Sequence, residues 1–316
     1  MMKLARRAAL TILASLGFAA TASAQSQVQM VIPWPAGGGT DVIGRLIQPA
    51  LSEQIGGQVI IRNVGGATGT IGTAEVVRAR PDGNTILLTS LAAVAIQPSF
   101  LARPPYRADQ LTPICLVAEA PAVMMSPKTS GITTLDELAA RARANPGQYP
   151  YASGGVGGLG HLATTALTRA LGIQMNHIPF RGSGDAILAM QSGTVTTLTA
   201  EATLVHQYGF NAVVVFGERR LPEYPNTPTA KELGHPSLVF PLWTGIFGPP
   251  GMAPAVVERL DGACARTLRT PSVVESMTRA SHPIRYMDHR DFAAYFQAEA
   301  TKYARLIQES GLRQAE

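Results

Sequence analysis

The sequence predicts an α/β fold of two parallel-sheet domains, and three observations carry that prediction. Short β-branched runs alternate with segments of helical periodicity, the pattern of βαβ units wound around a parallel sheet. The alternation restarts near residue 135, after an apolar stretch at 114–125 that is split by Pro121. A second extended stretch at 242–247, followed by Gly248-Pro249-Pro250-Gly251, leads out of the second set, so the chain crosses between domains twice. The expected division is 25–125 with 244–316 for the first domain and 126–243 for the second, each with its own sheet.

In chain order, the first domain reads as strand 28–32, helix 42–55, strand 59–62, helix 71–79 and strand 85–89. Pro49 lies inside the first helical pattern, where it would cost up to ~3 kcal/mol in an undistorted helix, so a kink or an early end is expected. The second domain opens with helix 135–144, where Thr134 and Glu137 have capping-box spacing. Strand 149–153, helix 162–171, strand 176–180, helix 186–191 and strands 195–200 and 213–216 follow. After the return crossing come helices 254–268, begun by Pro254, then 273–279 and 292–307. In the last, Phe292, Tyr295, Phe296, Tyr303, Leu306 and Ile307 recur at three- and four-residue spacing, an apolar face expected to dock on the first domain.

The N-terminus has the three-part pattern of a secretory signal peptide over residues 1–24: Lys3, Arg6 and Arg7, an apolar run at 8–20, then Ala22-Ser23-Ala24. The Sec route is favoured over twin-arginine export, and either ends in the periplasm. No later stretch reaches the ~20 apolar residues of a membrane span. Those three cations account for most of the net charge of +5, leaving +2, and the remaining Lys and Arg form no basic stripe, which argues against nucleic-acid binding. Cys115 and Cys264 are too few for a disulfide scaffold; two buried thiols are favoured over one bridge.

Two glycine-rich segments carry the chemistry. Pro33-Trp34-Pro35-Ala36-Gly37-Gly38-Gly39-Thr40-Asp41 lies between a strand and a helix, where backbone N–H groups and the positive end of the helix suit an anion such as a carboxylate. The plainer alternative is a tight turn capped by Thr40 or Asp41. Ser153-Gly154-Gly155-Val156-Gly157-Gly158-Leu159-Gly160-His161 has the same context in the other domain. It contains a GxGxxG pattern at Gly155, Gly157 and Gly160, but the next acid, Asp185, lies 25 residues beyond, and an anion-cradling loop fits better than a dinucleotide site.

These segments resemble the receptors of tripartite tricarboxylate transporters, the Bug or TctC family. PWPAGGGTD with NVGGATGTIGTAEVVRARPDGNTILLTS resembles the family's opening, and YASGGVGGLGHLA its second ligand loop. HIPFRGSGDAILAMQSGTV resembles its next strand-helix unit, and NTPTAKELG with LWTGIFGPPGMAP its return to the first domain. The resemblance implies a type II periplasmic-binding-protein fold and a ligand cleft in which backbone amides and waters of both loops hold a carboxylate. It implies ligand contacts at Pro33 to Asp41, at Ser153 to Gly158 and at His161, with Ala67, Thr68, Ser90, Phe180 and Ser183 as further lining. Trp34 is either a wall of the site or core packing, Asp41 caps its helix in preference to meeting a ligand amine, and His161 orients its loop in preference to touching the ligand. The chain departs from the family at Thr196-Thr197-Leu198-Thr199-Ala200-Glu201, where members show a DLMFD-like strand, so no role transfers to Glu201. Gly65-Gly66-Ala67-Thr68-Gly69-Thr70 also differs from the usual Pro-Gly-Ala-Gly-Gly-Asn, which alters the pocket wall.

The resemblance thus implies a periplasmic receptor without catalytic residues, metal or cofactor: a monomer that takes a di- or tricarboxylate, an aromatic carboxylate or an amino acid to inner-membrane transporter subunits. A membrane sensor kinase is the alternative partner, and a periplasmic enzyme a remote one. Gly182-Ser183-Gly184 is not a nucleophile elbow, and His282, Asp288 and His289 match no common metal spacing and read as a surface loop. A bulky β-branched residue at Gly38 or Gly157 is expected to abolish binding while leaving the fold intact.

Overall fold

A computed structural model describes residues 26–314, so the expected signal peptide lies outside the described residues. The elements are β1 (Ser26–Ile32), α1 (Gly39–Ile55), β2 (Gly57–Asn63), α2 (Thr70–Val77), β3 (Thr85–Ser90) and the short α3 (Gln97–Phe100), which follows a π-helical turn at Ala92–Ile96. Next come β4 (Thr112–Ser126), α4 (Leu135–Ala144), β5 (Pro150–Ser153), α5 (Leu159–Ala170), β6 (Asn176–Pro179), α6 (Ser183–Gln191), β7 (Thr197–Glu201), α7 (Thr203–Tyr208) and β8 (Asn211–Phe216). The chain ends with β9 (Pro241–Gly248), α8 (Pro254–Arg269), α9 (Pro271–Arg279), β10 (Ile284–Met287) and α10 (His289–Ser310).

The strands form one hydrogen-bonded path, β2-β1-β3-β9-β4-β7-β5-β6, with β8 and β10 also paired to β4. The two expected sheets are thus joined rather than linked by a loop: the apolar connecting segment is itself a 15-residue strand shared by both. Up to Pro121, β4 pairs with β9 and β10; from Ala122 onward it pairs with β7 and β8. Pro121 lies opposite Pro241 at the end of the β4–β9 ladder, and because neither can donate an N–H, the ladder has to stop there. The backbone N–H of Ala122 then donates to Phe240 O. Each half is mixed, not wholly parallel. β1, β2 and β3 run parallel, as do β5, β6 and β7, while β4 and β9 enter antiparallel.

Helix α1 packs Ile43, Ile47 and Leu51 against β1 and β3, one apolar stripe at four-residue spacing. Gly44 brings it unusually close, since a Cβ there would lie 2.6 Å from Ile32 Cδ1. The helix runs through Pro49 to Ile55, so the expected early end is absent. Pro49 and Arg45, whose carbonyl loses its donor, both lie on the exposed side, where water can serve that carbonyl. Thr134 and Glu137 form the expected capping box. The apolar face of α10 docks on the first half: Phe292 and Phe296 meet Trp243 edge-on at 5.6 and 6.2 Å between ring centroids, and both pack on Phe247 at 5.1 Å.

The cysteine expectation is also corrected, because Cys115 on β4 and Cys264 on α8 form a disulfide. Separated by 149 positions, they meet only through the packing of α8 on the first half of the sheet. Residues 282–289, read as a surface loop, contain β10, which pairs with β4.

Candidate functional site

The candidate residues gather at the carboxyl ends of strands, the edge at which α/β sheets present loops and helix N-termini. β1 leads through residues 33–38 into α1, β2 through 64–69 into α2, and β3 ends at Ser90. In the other half, β5 leads through 154–158 into α5, β6 through 180–182 into α6, and β7 ends at Glu201.

In the first loop, the helix is capped by Gly38, not by Thr40 or Asp41, and without a side-chain hydrogen bond. Asp41, buried in the first turn, reaches back instead. Its Oδ2 accepts from the Gly37 N–H at 2.8 Å and Arg45 Nε at 2.9 Å, and its Oδ1 from Asn63 Nδ2 at 2.9 Å. Burial alone would raise its carboxyl, but the bonds from Arg45, Gly37 and Asn63 outweigh burial and hold it below the ordinary value. Asp41 is therefore committed to holding the loop. Trp34 packs on both apolar clusters and under Gly69, whose hypothetical Cβ would lie 3.2 Å from Trp34 Cζ2. Its buried indole N–H has no hydrogen-bond partner among the described residues. Nearby, Ala67 and Thr68 take left-handed backbone angles, φ 46° and 52°, a strained pair that presents Thr68 across the site.

In the second loop, Gly158 caps α5, again without a side-chain hydrogen bond. The buried Ser153 Oγ donates to Gly155 O at 3.0 Å and lies 2.7 Å from His177 Nε2. His161 Nδ1 accepts from the Gly157 N–H at 3.1 Å, so this side chain is spent on orienting its loop. The His161 and His177 rings stack at 4.0 Å between centroids, and Tyr151 stacks on His177 at 4.8 Å. Burial lowers the pKa of His161; burial, then the neighbouring His161, lower that of His177 to about 4, so both rings are neutral near pH 7. Phe180 and Ser183 flank this loop: Phe180 N–H donates to Ser153 O, and a Cβ at Gly154 would lie 3.5 Å from Ser183 N.

The two loops meet. Thr68 Oγ1 donates to Val156 O at 3.4 Å, and the buried Gln97 Nε2 donates to Gly157 O at 3.1 Å. Phe100 lies under Gly157, and a Cβ on Gly157 would come within 2.5 Å of its ring. A Cβ on Gly39 would lie 3.6 Å from both Glu201 Oε1 and His282 Cε1. The structure thus brings Pro33 to Asp41, Thr68, Ser153 to His161, Phe180 and Ser183 to one region, with Ser90 at the end of β3. It adds Gln97, Phe100, His177, Glu201 and His282, which the sequence reading left without a role. Gln97 alone carried a signal, as a single amide in an apolar run; the others converge only through topology.

Asp288 caps α10 and His289 Nδ1 pairs with Asp261 Oδ2 at 2.7 Å, so neither joins His282. Among the described residues no cluster could hold a metal ion, and no helix is long and apolar enough to cross a membrane. A groove of about 770 Å³ along α10, lined by Phe240, Thr301, Lys302 and Leu306 among others, includes none of these loop residues.

The family model described as the tripartite tricarboxylate transporter family receptor, TctC, matches residues 43–312. A UPF0065 protein encoded in the tcbD-tcbE intergenic region of Pseudomonas sp. strain P51 is 33% identical over 288 residues, which span 89% of this chain and 85% of that protein. The solved structure of the periplasmic binding protein BugD superposes with a TM-score of 0.83 at 28% identity, covering 92% of this chain and 99% of that one. The structure of MatC from Rhodopseudomonas palustris with bound malate does so with a TM-score of 0.81 at 27% identity, covering 89% and 98%. With the family model spanning most of the chain and the fold matching solved solute-binding proteins, this protein belongs to the TctC, or Bug, family of solute-binding receptors.

Proposed function

We propose that the protein is a periplasmic receptor that captures a small carboxylate between its two glycine loops and presents it to the membrane subunits of a tripartite tricarboxylate-type transporter. The observation that carries the reading is the pairing of α1 and α5. Each begins at a strand's carboxyl end with a glycine cap free of any side-chain hydrogen bond, and Thr68 and Gln97 of the first half reach the loop before α5 across the halves of the sheet. First-turn N–H groups left without a capping side chain are donors for an anion. Charge-assisted bonds to such donors contribute roughly 1.5–3 kcal/mol each, so a few from each loop suffice for micromolar affinity without an arginine clamp. MatC with its bound malate supports a carboxylate as ligand, and the family description supports the transporter.

In this reading residues 1–24 are a cleaved signal peptide, residues 25–125 with 244–316 form one domain and 126–243 the other. The two domains hinge where Pro121 faces Pro241. Only the closed form lets both loops touch one molecule, so a ligand stabilises closure by its differential affinity for that form. No catalytic step is needed. The test is a thermal-shift screen of the purified mature protein against mono-, di- and tricarboxylates, aromatic acids and amino acids. A ligand at a hundred times its dissociation constant adds ~2.7 kcal/mol, a clear rise in melting temperature. A rise confined to one carboxylate class supports the reading, and the absence of a rise with every class refutes it.

A further inference from the structure

We infer that Glu201 and His282 form a selective end of this site, at which Glu201 receives a hydrogen-bond donor of the ligand, so that the preferred ligand is a small monocarboxylate carrying an ammonium, amide or hydroxyl group. The inference rests on the receptor reading above. Its observation is the convergence over Gly39, the first residue of α1: Glu201 Oε1 from the end of β7 and His282 Cε1 from the α9–β10 turn both lie 3.6 Å from where a Cβ would stand. Glu201 belongs to one half of the sheet, Gly39 and His282 to the other, so the group assembles where the halves approach.

The two side chains are held for such a role. His282 follows Ser281, a non-glycine residue at φ 54°, in a turn fixed by the bond from His282 N–H to Met277 O at 2.9 Å. Such strain is retained where the surrounding structure imposes it, often at ligand sites. Glu201 makes no side-chain hydrogen bond to another residue among the described residues. Burial, opposed only by its own backbone N–H, raises its pKa above the ordinary value. A half-buried acceptor with no protein donor gains most from a donor on a ligand, and burial likewise keeps His282 neutral, so no cation balances Glu201 at this point. Two cations of the first half are engaged elsewhere: Arg45 binds Asp41, and Arg62 pairs with Glu75. A second ligand carboxylate near Gly39 would face the Glu201 carboxyl without a counter-charge, so binding it requires either two like charges side by side or uptake of a proton by Glu201, and each opposes binding.

The test uses calorimetry on the full mature chain with three four-carbon probes: 4-aminobutyrate, 4-hydroxybutyrate and succinate. The wild type is expected to bind one of the two donor-bearing probes at least about tenfold more tightly than succinate. In Glu201→Gln that preference should shrink to within about threefold, chiefly through tighter succinate binding, because the amide removes the charge and keeps the shape. His282→Gln should weaken all three without changing their order. If succinate binds the wild type as tightly as the donor-bearing probes, or Glu201→Gln leaves the ratio unchanged, the inference is overturned while the receptor reading stands. If none of the three binds but another carboxylate raises the melting temperature, again only this inference falls. If no carboxylate of any class binds the folded wild type, both fall.

Discussion

Replacing Gly157 with alanine separates a glycine that the packing of its loop requires from one that is merely present. Gly157 has φ +68°, and a Cβ there would lie 2.5, 2.6 and 2.8 Å from three carbons of the Phe100 ring. Ordinary contact begins near 3.4 Å, so the ring has to retreat by roughly 1 Å, yet Phe100 is 4% exposed and sits in an apolar cluster that runs through both halves. Overpacking of this kind costs typically 1–3 kcal/mol, and the left-handed backbone adds about 1 kcal/mol for a residue with a Cβ. Phe100 and the second-half residues Leu159 and Leu162 belong to one buried apolar cluster, so the ring clash and the backbone cost both fall on the folded protein itself. The ligand-free protein should lose about 2–4 kcal/mol of stability, and because 1.4 kcal/mol is tenfold in an equilibrium, displacement of this ligand loop should lower apparent affinity about 10- to 100-fold. The control is Gly38→Ala. Gly38 has φ −74° and ψ 162°, and its Cβ would meet only Pro35 O, at 3.4 Å. Gly38→Ala should therefore bind almost normally, unlike the bulky β-branched residue that is expected to abolish binding there. Calorimetry with the best ligand of the screen, beside urea unfolding of the free proteins, measures both. Unaltered affinity in Gly157→Ala would refute the packing of the second loop on Phe100 as a requirement for binding.

Three further outcomes follow from the structure. Opening the Cys115–Cys264 bridge, by reduction or as the double serine variant, releases a loop of 149 positions; chain entropy sets the loss at up to about 5 kcal/mol, with 2–4 kcal/mol typical, and an unchanged melting temperature would contradict a formed bridge. His177 has its pKa lowered from 6.5 to about 4, so the unfolded chain binds more protons between those values. Stability should be complete above about pH 6.5 and drain away as pH falls toward 4, by roughly 1–2 kcal/mol after allowance for partial exposure, and His177→Gln should flatten that slope in urea titrations. Asp41→Ala leaves the Gly37 N–H, Arg45 and Asn63 without their acceptor and should cost about 1–3 kcal/mol of stability together with much of the affinity; a variant as stable and tight-binding as the wild type would show that the loop needs no such anchor.

Much of the fold was legible because local pattern and tertiary role agree. The stripe Ile43, Ile47 and Leu51, the Thr134 and Glu137 box and the aromatic face of α10 are all specified within a few residues of chain. The shared strand was not, because a 15-residue β4 crossing both halves reads locally as a linker interrupted by Pro121; only opposite Pro241 does that proline mark where the pairing changes partners. Pro49 misled for a related reason: its cost depends on which side of the helix faces water, and here that side is exposed. In the candidate site, the two glycine loops stood out because each sits between a strand and a helix. Gln97, Phe100, Glu201 and His282 did not, since each gains its place from a segment distant in sequence. The disulfide follows the same rule, with proximity created by α8 packing on the sheet.

The central claim is that a carboxylate is held between the starts of α1 and α5. A crystal structure of the protein with the carboxylate that most raises its melting temperature tests it directly. Carboxylate oxygens are expected within about 3 Å of loop or first-turn N–H groups from both the Gly37–Thr40 and the Gly155–Gly160 segments, with the halves closed. A ligand seated elsewhere, such as in the groove along α10, or held by one loop alone with the halves apart, would contradict it.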